Sequence, residues 1–209
     1  MTTSPFIRPY RADDRTALYD ICMRTGHEGG DARHLYDDHD LLPSLFAAPY
    51  AELEPGLAFV ADDGTGLAVG YIVGTADTTA FVERFRTQWL PPLAGRYPDP
   101  TGPLLTPDEQ MAALLHRPER MLVPELAGHP AHLHVDLLPG HQRMGLGRAL
   151  MNQFLAALAA QGVPAVHLGM VTANKAARAF YDRVGFHVIP VPDAGVLTYL
   201  GRTTGGVVL

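Results

Sequence analysis

The run Pro139-Gly140-His141-Gln142-Arg143-Met144-Gly145-Leu146-Gly147-Arg148 leads from a strand-like stretch into a long helical pattern. Glycines at 145 and 147 let backbone approach a ligand, and amides at a helix start are unpaired donors at the positive end of the dipole. A pyrophosphate is the natural guest of such a turn. An ordinary turn does not need Arg143 and Arg148 as well. Neither common nucleotide loop fits: Gly-x-x-x-x-Gly-Lys-Ser/Thr is absent, and the spacing is not Gly-x-Gly-x-x-Gly. Just upstream, His132, His134 and Asp136 alternate with Leu133, Val135 and Leu137, which places the three polar side chains on one strand face. That is costly on a central strand unless the face lines a site or the groups pair, so acid–base chemistry and a buried structural pair both stay open. His27, Asp31, His34, Asp37 and His39 match no standard metal-ligand spacing and read as a polar loop. Cys22 falls on an apolar helix face and reads as a small core residue, not a nucleophile.

These groups need a scaffold, and the pattern supplies one. A strand is expected at 5–10, then a helix over about 14–25 capped by Asp13, with Ala17, Leu18, Ile21 and Cys22 inward. Residues 57–62 and 67–74 read as a hairpin around Asp62-Asp63-Gly64-Thr65-Gly66. From 76 to 130 prolines punctuate short helical stretches, and Phe81, Phe85, Trp89, Leu90 and Tyr97 need a surface to pack on, so this is an insertion and not a linker. The last third reads as strand His132–Leu138, helix Gly147–Gln161, strand Val163–Val171, helix Asn174–Val184, and strands near 186–190 and 196–200. The first two of these strands should be parallel through a helical crossover.

Composition bounds the function. The 209 residues are 47% apolar and 18% charged, which suits one folded domain over 1–209 and excludes wholesale disorder. No apolar run approaches the ~20 residues of a membrane span, and the N-terminus lacks a signal-peptide centre. One cysteine makes a cytoplasmic address the default. Ser4 and Ser44 are the only serines, poor material for a serine hydrolase; the single lysine, Lys175, reads as codon bias of a GC-rich genome. A net charge of −6 argues against a nucleic-acid partner. Residues 26–63 hold nine acids against Arg33 alone, whereas 132–209 hold six bases against three acids. One half should therefore attract cations and the other anions.

Gln142-Arg143-Met144-Gly145-Leu146-Gly147 is similar to the Q/R-x-x-G-x-G/A signature of the GNAT acyltransferases. Asn174-x-x-Ala177-x-x-Phe180-Tyr181-x-x-x-Gly185-Phe186 resembles their second acyl-CoA motif. The resemblance implies an α/β GNAT fold, a splayed mixed central sheet flanked by helices, with a helical insertion at about 76–130. It also implies acetyl-CoA as cosubstrate, bound by a core at 131–190. Pantetheine would bond Val135, Asp136 and Leu137, and pyrophosphate the amides of Arg143, Met144, Gly145, Leu146, Gly147 and Arg148. Asn174, Ala177, Phe180 and Tyr181 would complete the coenzyme site.

Upstream, Thr25-Gly26-His27-Glu28-Gly29-Gly30-Asp31, Leu35-Tyr36-Asp37-Asp38-His39, Ala48-Pro49-Tyr50, Gly70 to Asp77, Trp89-Leu90-Pro91-Pro92 and Arg96-Tyr97-Pro98 resemble the C-terminal acetyltransferase-like domain of O-GlcNAc hydrolases. No hydrolase catalytic domain accompanies them, so no glycosidase activity is implied. In this family Tyr181 matches the acid beside the sulfur. Many relatives place a glutamate where Gly169 stands, so Asp136 is the first choice of base, with His134 orienting or replacing it. The expected function is acetyl transfer from acetyl-CoA to an amine by direct attack. The alternative is a non-catalytic acyl-CoA-binding or pseudo-acetyltransferase interaction module. Loops at 26–56 and the insertion at 76–130 should face the acceptor, with Asp37, Asp38, Asp77 and Trp89 as its contacts. The acceptor is expected to be a cationic small molecule or peptide amine. Neither a membrane nor a metal is expected, and the chain should be a monomer or homodimer.

Overall fold

A computed structural model describes residues 4–206, and among them lies one seven-stranded sheet. Strand β1 (Phe6–Pro9) leads to α1 (Arg15–Thr25), α2 (Leu41–Phe46) and α3 (Ala48–Leu53). The hairpin β2 (Ala58–Asp62) and β3 (Ala68–Thr75) follows, then α4 (Thr78–Arg84), α5 (Leu90–Leu93) and α6 (Pro107–Leu115). The last third is β4 (Ala131–Leu137), α7 (Leu146–Ala160), β5 (Ala165–Val171), α8 (Lys175–Arg183), β6 (His187–Ile189) and β7 (Leu197–Thr203). Spatial order is β1-β2-β3-β4-β5-β7-β6, antiparallel throughout except for the parallel β4–β5 pair. No helix among the described residues is long and apolar enough to cross a membrane.

The parallel pair is where the sheet opens. β3 and β4 stay in register from Thr75–His132 to Gly70–Leu137, and β5 and β7 from Ala165–Thr203 to Val171–Leu197. Between them β4 and β5 pair only at Ala131–Val166 and His132–His167. Beyond His132 the two strands part, and the facing edge of β4 meets no strand. Leu138 N donates to Val69 O at 3.0 Å, which turns the backbone of even-numbered β4 residues toward β3. Strand alternation then aims the amides and carbonyls of Leu133, Val135 and Leu137 into the gap. Asp136, expected among the backbone contacts there, has its main chain turned away.

Two apolar clusters hold the sheet from opposite sides. On one face α7 buries Leu146, Leu150, Met151, Phe154, Leu155 and Leu158, a stripe at helical spacing, against Ile72, Leu133, Val166 and Leu168. Gly74 makes this fit possible, since a Cβ there would lie 2.6 Å from Phe154 Cζ and 2.3 Å from His132 O. On the other face Leu18, Ile21, Leu45, Tyr50, Tyr71, Phe81 and Phe85 pack together, bringing α1, α2, α3 and α4 over the sheet. The aromatic insertion thus finds its surface.

The segment 26–56 is not all loop. Leu41, Leu42, Leu45, Ala47, Ala48, Tyr50 and Ala51 are buried in α2 and α3. Pro43 and Pro49 look like breakers, but both stand in the first turn of a short helix, where the missing N–H has no helical partner anyway. The final strand also runs to Thr203, past the expected end at 200.

Candidate active site

Past the end of β4 the chain makes a short turn at Pro139–His141, and Gln142 Nε2 donates to Leu137 O at 2.9 Å, fixing the exit from the strand. Arg143 (φ 62°) and Gly145 (φ 82°) then take left-handed conformations before α7 begins at Leu146. Among the described residues the amides of 143–148 donate to no protein acceptor. A row of free N–H groups at the positive end of a fifteen-residue helix is an anion cradle. Arg143 and Arg148 flank it, exposed and without an ion-pair partner among the described residues.

Helix α8 closes the cradle from the far side of the split. Asn174 Oδ1 accepts from Ala177 N at 2.9 Å, so its carbonyl is spent on the cap and only the amide is left for a ligand. A Cβ on Gly147 would lie 3.3 Å from Phe180 Cε2, which shows how closely the starts of α7 and α8 approach. Tyr181 is buried against Phe180 and Phe186, with ring centroids 5.3 and 5.6 Å away. Burial, reinforced by the charge of Asp136, raises its pKa well above the usual phenol value, so it stays protonated at neutral pH. Val135, Leu137, Ala177 and Phe180 pack around the same apolar cluster.

His132, His134 and Asp136 do share a face, the one turned to α1–α3, but they do not bond one another. Tyr71 Oη donates to Asp136 Oδ2 at 2.6 Å. Burial raises the Asp136 pKa above the ordinary carboxylate value, and the Tyr71 hydrogen bond opposes that rise. His134, expected to orient Asp136, is held by Tyr50 instead. Proton counting fixes this second network. Thr78 Oγ1 donates to Pro130 O at 2.7 Å, so His132 Nδ1, 2.8 Å away, is the donor to Thr78. Burial and the neighbouring His167 push the His132 pKa well down, so Nε2 of the neutral ring accepts from Tyr50 Oη at 2.9 Å. Met121 Sδ, a weak acceptor 3.6 Å from Tyr50 Oη, competes poorly for that proton, so His134 Nε2 donates to Tyr50 Oη at 3.2 Å. His134 Nδ1 is left with a lone pair, and burial together with the charge of Arg120 pushes its pKa down to about 3.

Tyr50 is therefore a positioning residue for His134. Replacing it with phenylalanine leaves two buried ring nitrogens short of a partner, an expected cost of about 1–3 kcal/mol in urea unfolding. Nitrogen-15 NMR should show His132 and His134 each in one neutral tautomer in the wild type and in mixed tautomers in Tyr50→Phe. Unaltered tautomer signals in the variant would remove Tyr50 from this role.

Of the four residues expected to meet an acceptor, the side chains of Asp38, Asp77 and Trp89 have structural partners, and Asp37 is held only through its backbone amide. Asp77 caps α4, accepting from Thr79 N and Ala80 N at 2.8 and 3.0 Å. Trp89 Nε1 donates to Ser44 O at 2.9 Å. Asp38 pairs with Arg96, and the amides of Asp37 and Asp38 are held by Asp108. Nor is the acidic segment an open wall: Asp31 pairs with Arg33, Asp40 with Arg96, Glu52 with Arg15, Glu54 with Arg84 and Asp62 with Arg8. Most of these arginines lie far away in sequence, so the fold offsets part of the segment's charge, while Glu28, Asp37 and Asp63 have no ion pair among the described residues. Cys22 is buried and its thiol pKa is raised by that burial.

The floor beside His134 is completed by residues the sequence did not single out. Tyr199 of β7 stands opposite Gly169 of β5, and its ring would press on a Cβ at Gly169 from 3.2 Å away. Phe46 packs edge-on to His134 at 5.6 Å, and the Arg120 guanidinium lies 5.7 Å from the Phe46 ring centre.

Comparison with known proteins agrees with this arrangement. A model described as Acetyltransferase (GNAT) family matches residues 15–186. The proteins named Protein O-GlcNAcase of Rattus norvegicus and Mus musculus are each 25% identical over 181 residues, covering 86% of this chain and 20% of theirs. The chain thus spans about one fifth of the length of these curated relatives. Among solved structures, SsHAT matches with a TM-score of 0.94 at 62% identity, over 97% of this chain and all of that one. The protein yncA of Salmonella typhimurium, solved with its cofactor acetyl-CoA, shares the fold with a TM-score of 0.57 at 17% identity, covering 97% of this chain and 95% of its own. With the family model running across both the glycine turn and the Asn174–Phe186 motif, this chain belongs to the acetyltransferase (GNAT) family.

Proposed function

We propose that this chain binds acetyl-CoA and transfers its acetyl group to an amine by direct attack. The observation that carries the reading is the row of partnerless amides at 143–148, set at the mouth of the split between β4 and β5. Pyrophosphate suits those amides, and the inward-facing backbone of Val135 and Leu137 suits the amide groups of a pantetheine arm. Acetyl-CoA supplies the activated acyl group. Asp136 takes the proton of the amine, directly or through one water, and Tyr181 holds the proton that the departing sulfur needs.

A non-catalytic coenzyme-binding module has one observation in its favour. Gly169 brings no carboxylate to β5, and the Tyr199 ring lies close enough to crowd any side chain there. Calorimetry with acetyl-CoA and thiol release with primary amines separate the readings. Binding with acceptor-dependent thiol release is expected. Binding with no turnover on any amine would leave only the module, and absence of binding would end both.

A further inference from the structure

Arg120 is a charged side chain beside His134 that the transfer reading does not use. Its guanidinium stacks over Phe46, which itself packs on His134, and its charge is felt by His132, His134, Tyr50 and Tyr199. It makes no ion pair and no side-chain hydrogen bond among the described residues. The adjacent Glu119 is not available to it, being held by Arg86 at 2.5 Å. Asp136 is committed to Tyr71. The side chain is exposed, and a guanidinium laid over an aromatic ring with no protein counter-ion is free to take a ligand anion.

The coenzyme's phosphates are poorly placed to be that anion. Arg120 neighbours His132 and His134, and His134 stands three residues before β4 ends, roughly 10 Å of strand short of the turn that leads to the amide cradle. Its place beside Phe46 and His134, on the sheet face that carries Asp136, suits a group on the acceptor instead.

We propose that Arg120 binds a carboxylate on the acceptor, so that the amine acetylated by this chain is a small amino carboxylate. The proposal rests on the transfer reading above. A planar guanidinium matches a carboxylate with two parallel hydrogen bonds. The arrangement also helps the chemistry. A fixed positive charge lowers the pKa of an ammonium group held nearby, which eases loss of its proton before attack. The carboxylate offsets the repulsion that such an amine would otherwise meet.

The test uses glycine, β-alanine, 4-aminobutyrate, lysine and glycylglycine, each against its carboxamide, in thiol release from acetyl-CoA. At least one acid should exceed its amide by about tenfold or more in kcat/KM, the scale of a charge-assisted pair. Arg120→Gln should bring that ratio close to one, mainly through KM, and Arg120→Lys should retain part of it. Preference for glycylglycine over the free amino acids would identify a peptide C-terminus as the carboxylate's source. Amides equal to or better than acids throughout, or a ratio that survives Arg120→Gln, overturns the proposal. So does a matched loss of acetyl-CoA affinity in Arg120→Gln, which would give the residue to the coenzyme. Should no amine release thiol, transfer itself fails, and the carboxylate site is then read by NMR titration of the same pairs into the chain saturated with coenzyme A. Acid-specific shifts of the Arg120 side chain support it, and their absence ends it.

Discussion

Gly145→Glu abolishes acetyl-CoA binding in a chain that still folds. Gly145 has φ 82°, so any side chain there adds left-handed strain of about 1–2 kcal/mol, which an exposed turn tolerates. A Cβ at 145 meets no heavy atom within 4 Å, so the side chain does not collide with the protein. It projects a carboxylate beside the free amides of 143–148, where the coenzyme's pyrophosphate would have to sit. Steric block and anion repulsion should together lower affinity at least about 100-fold, or ~2.7 kcal/mol. Gly145→Ala carries the strain without the charge and should lose only a few-fold. Gly147→Glu should also lose binding, but its Cβ presses on Phe180 at 3.3 Å and disturbs α8 as well, so it is the less clean variant. Calorimetry with circular dichroism as the folding control reads all three. Wild-type affinity in folded Gly145→Glu would take the pyrophosphate away from this turn.

The ease of placing that cradle, and the difficulty of placing the acceptor, have one cause. Everything that makes the cradle is local: a glycine that needs positive φ, a helix start, and an apolar stripe from Leu146 to Leu158 with helical period. The same holds for Asn174 as a cap and for the shared face of His132, His134 and Asp136, which strand geometry alone dictates. Charge and hydrogen-bond partners are not local. Asp38 meets Arg96 from 58 residues away, and Tyr50 reaches His132 and His134 across 82 and 84 residues. A run of acids therefore reads as an acidic surface until the fold brings its arginines. Asp77 and Trp89 show a related ambiguity, since an aspartate before a helix and a tryptophan in an aromatic insertion each have a structural use as ready as a functional one. Tyr50 carried a sequence signal in Ala48-Pro49-Tyr50, but the proline after a loop hid the helix that aims it. Arg120 carried none, because only the approach of Phe46, Tyr199 and the two histidines sets it apart from the other arginines.

Removing the hydroxyl of Tyr181 should slow turnover about 10²–10⁴-fold while leaving coenzyme affinity near wild type, the usual scale for a lost general acid. The hydroxyl makes no hydrogen bond to any described residue, so Tyr181→Phe breaks nothing that holds the fold, and its raised pKa means the acid form is the one removed. Asp136 supplies the matching test through pH. As the base it works deprotonated, so the rate falls as pH drops through its pKa, which burial has already moved up. Tyr71 donates to the carboxylate at 2.6 Å and so favours the charged form. Tyr71→Phe withdraws that support, and the acidic limb of kcat/KM should move to higher pH. Asp136→Asn should lower the rate and erase the limb altogether. A residue serving only to fill the core would cost stability in both variants without displacing an ionisation. Wild-type rates in Tyr181→Phe and Asp136→Asn, measured with a good acceptor, would take the proton transfers away from both residues and leave them as parts of the packed core.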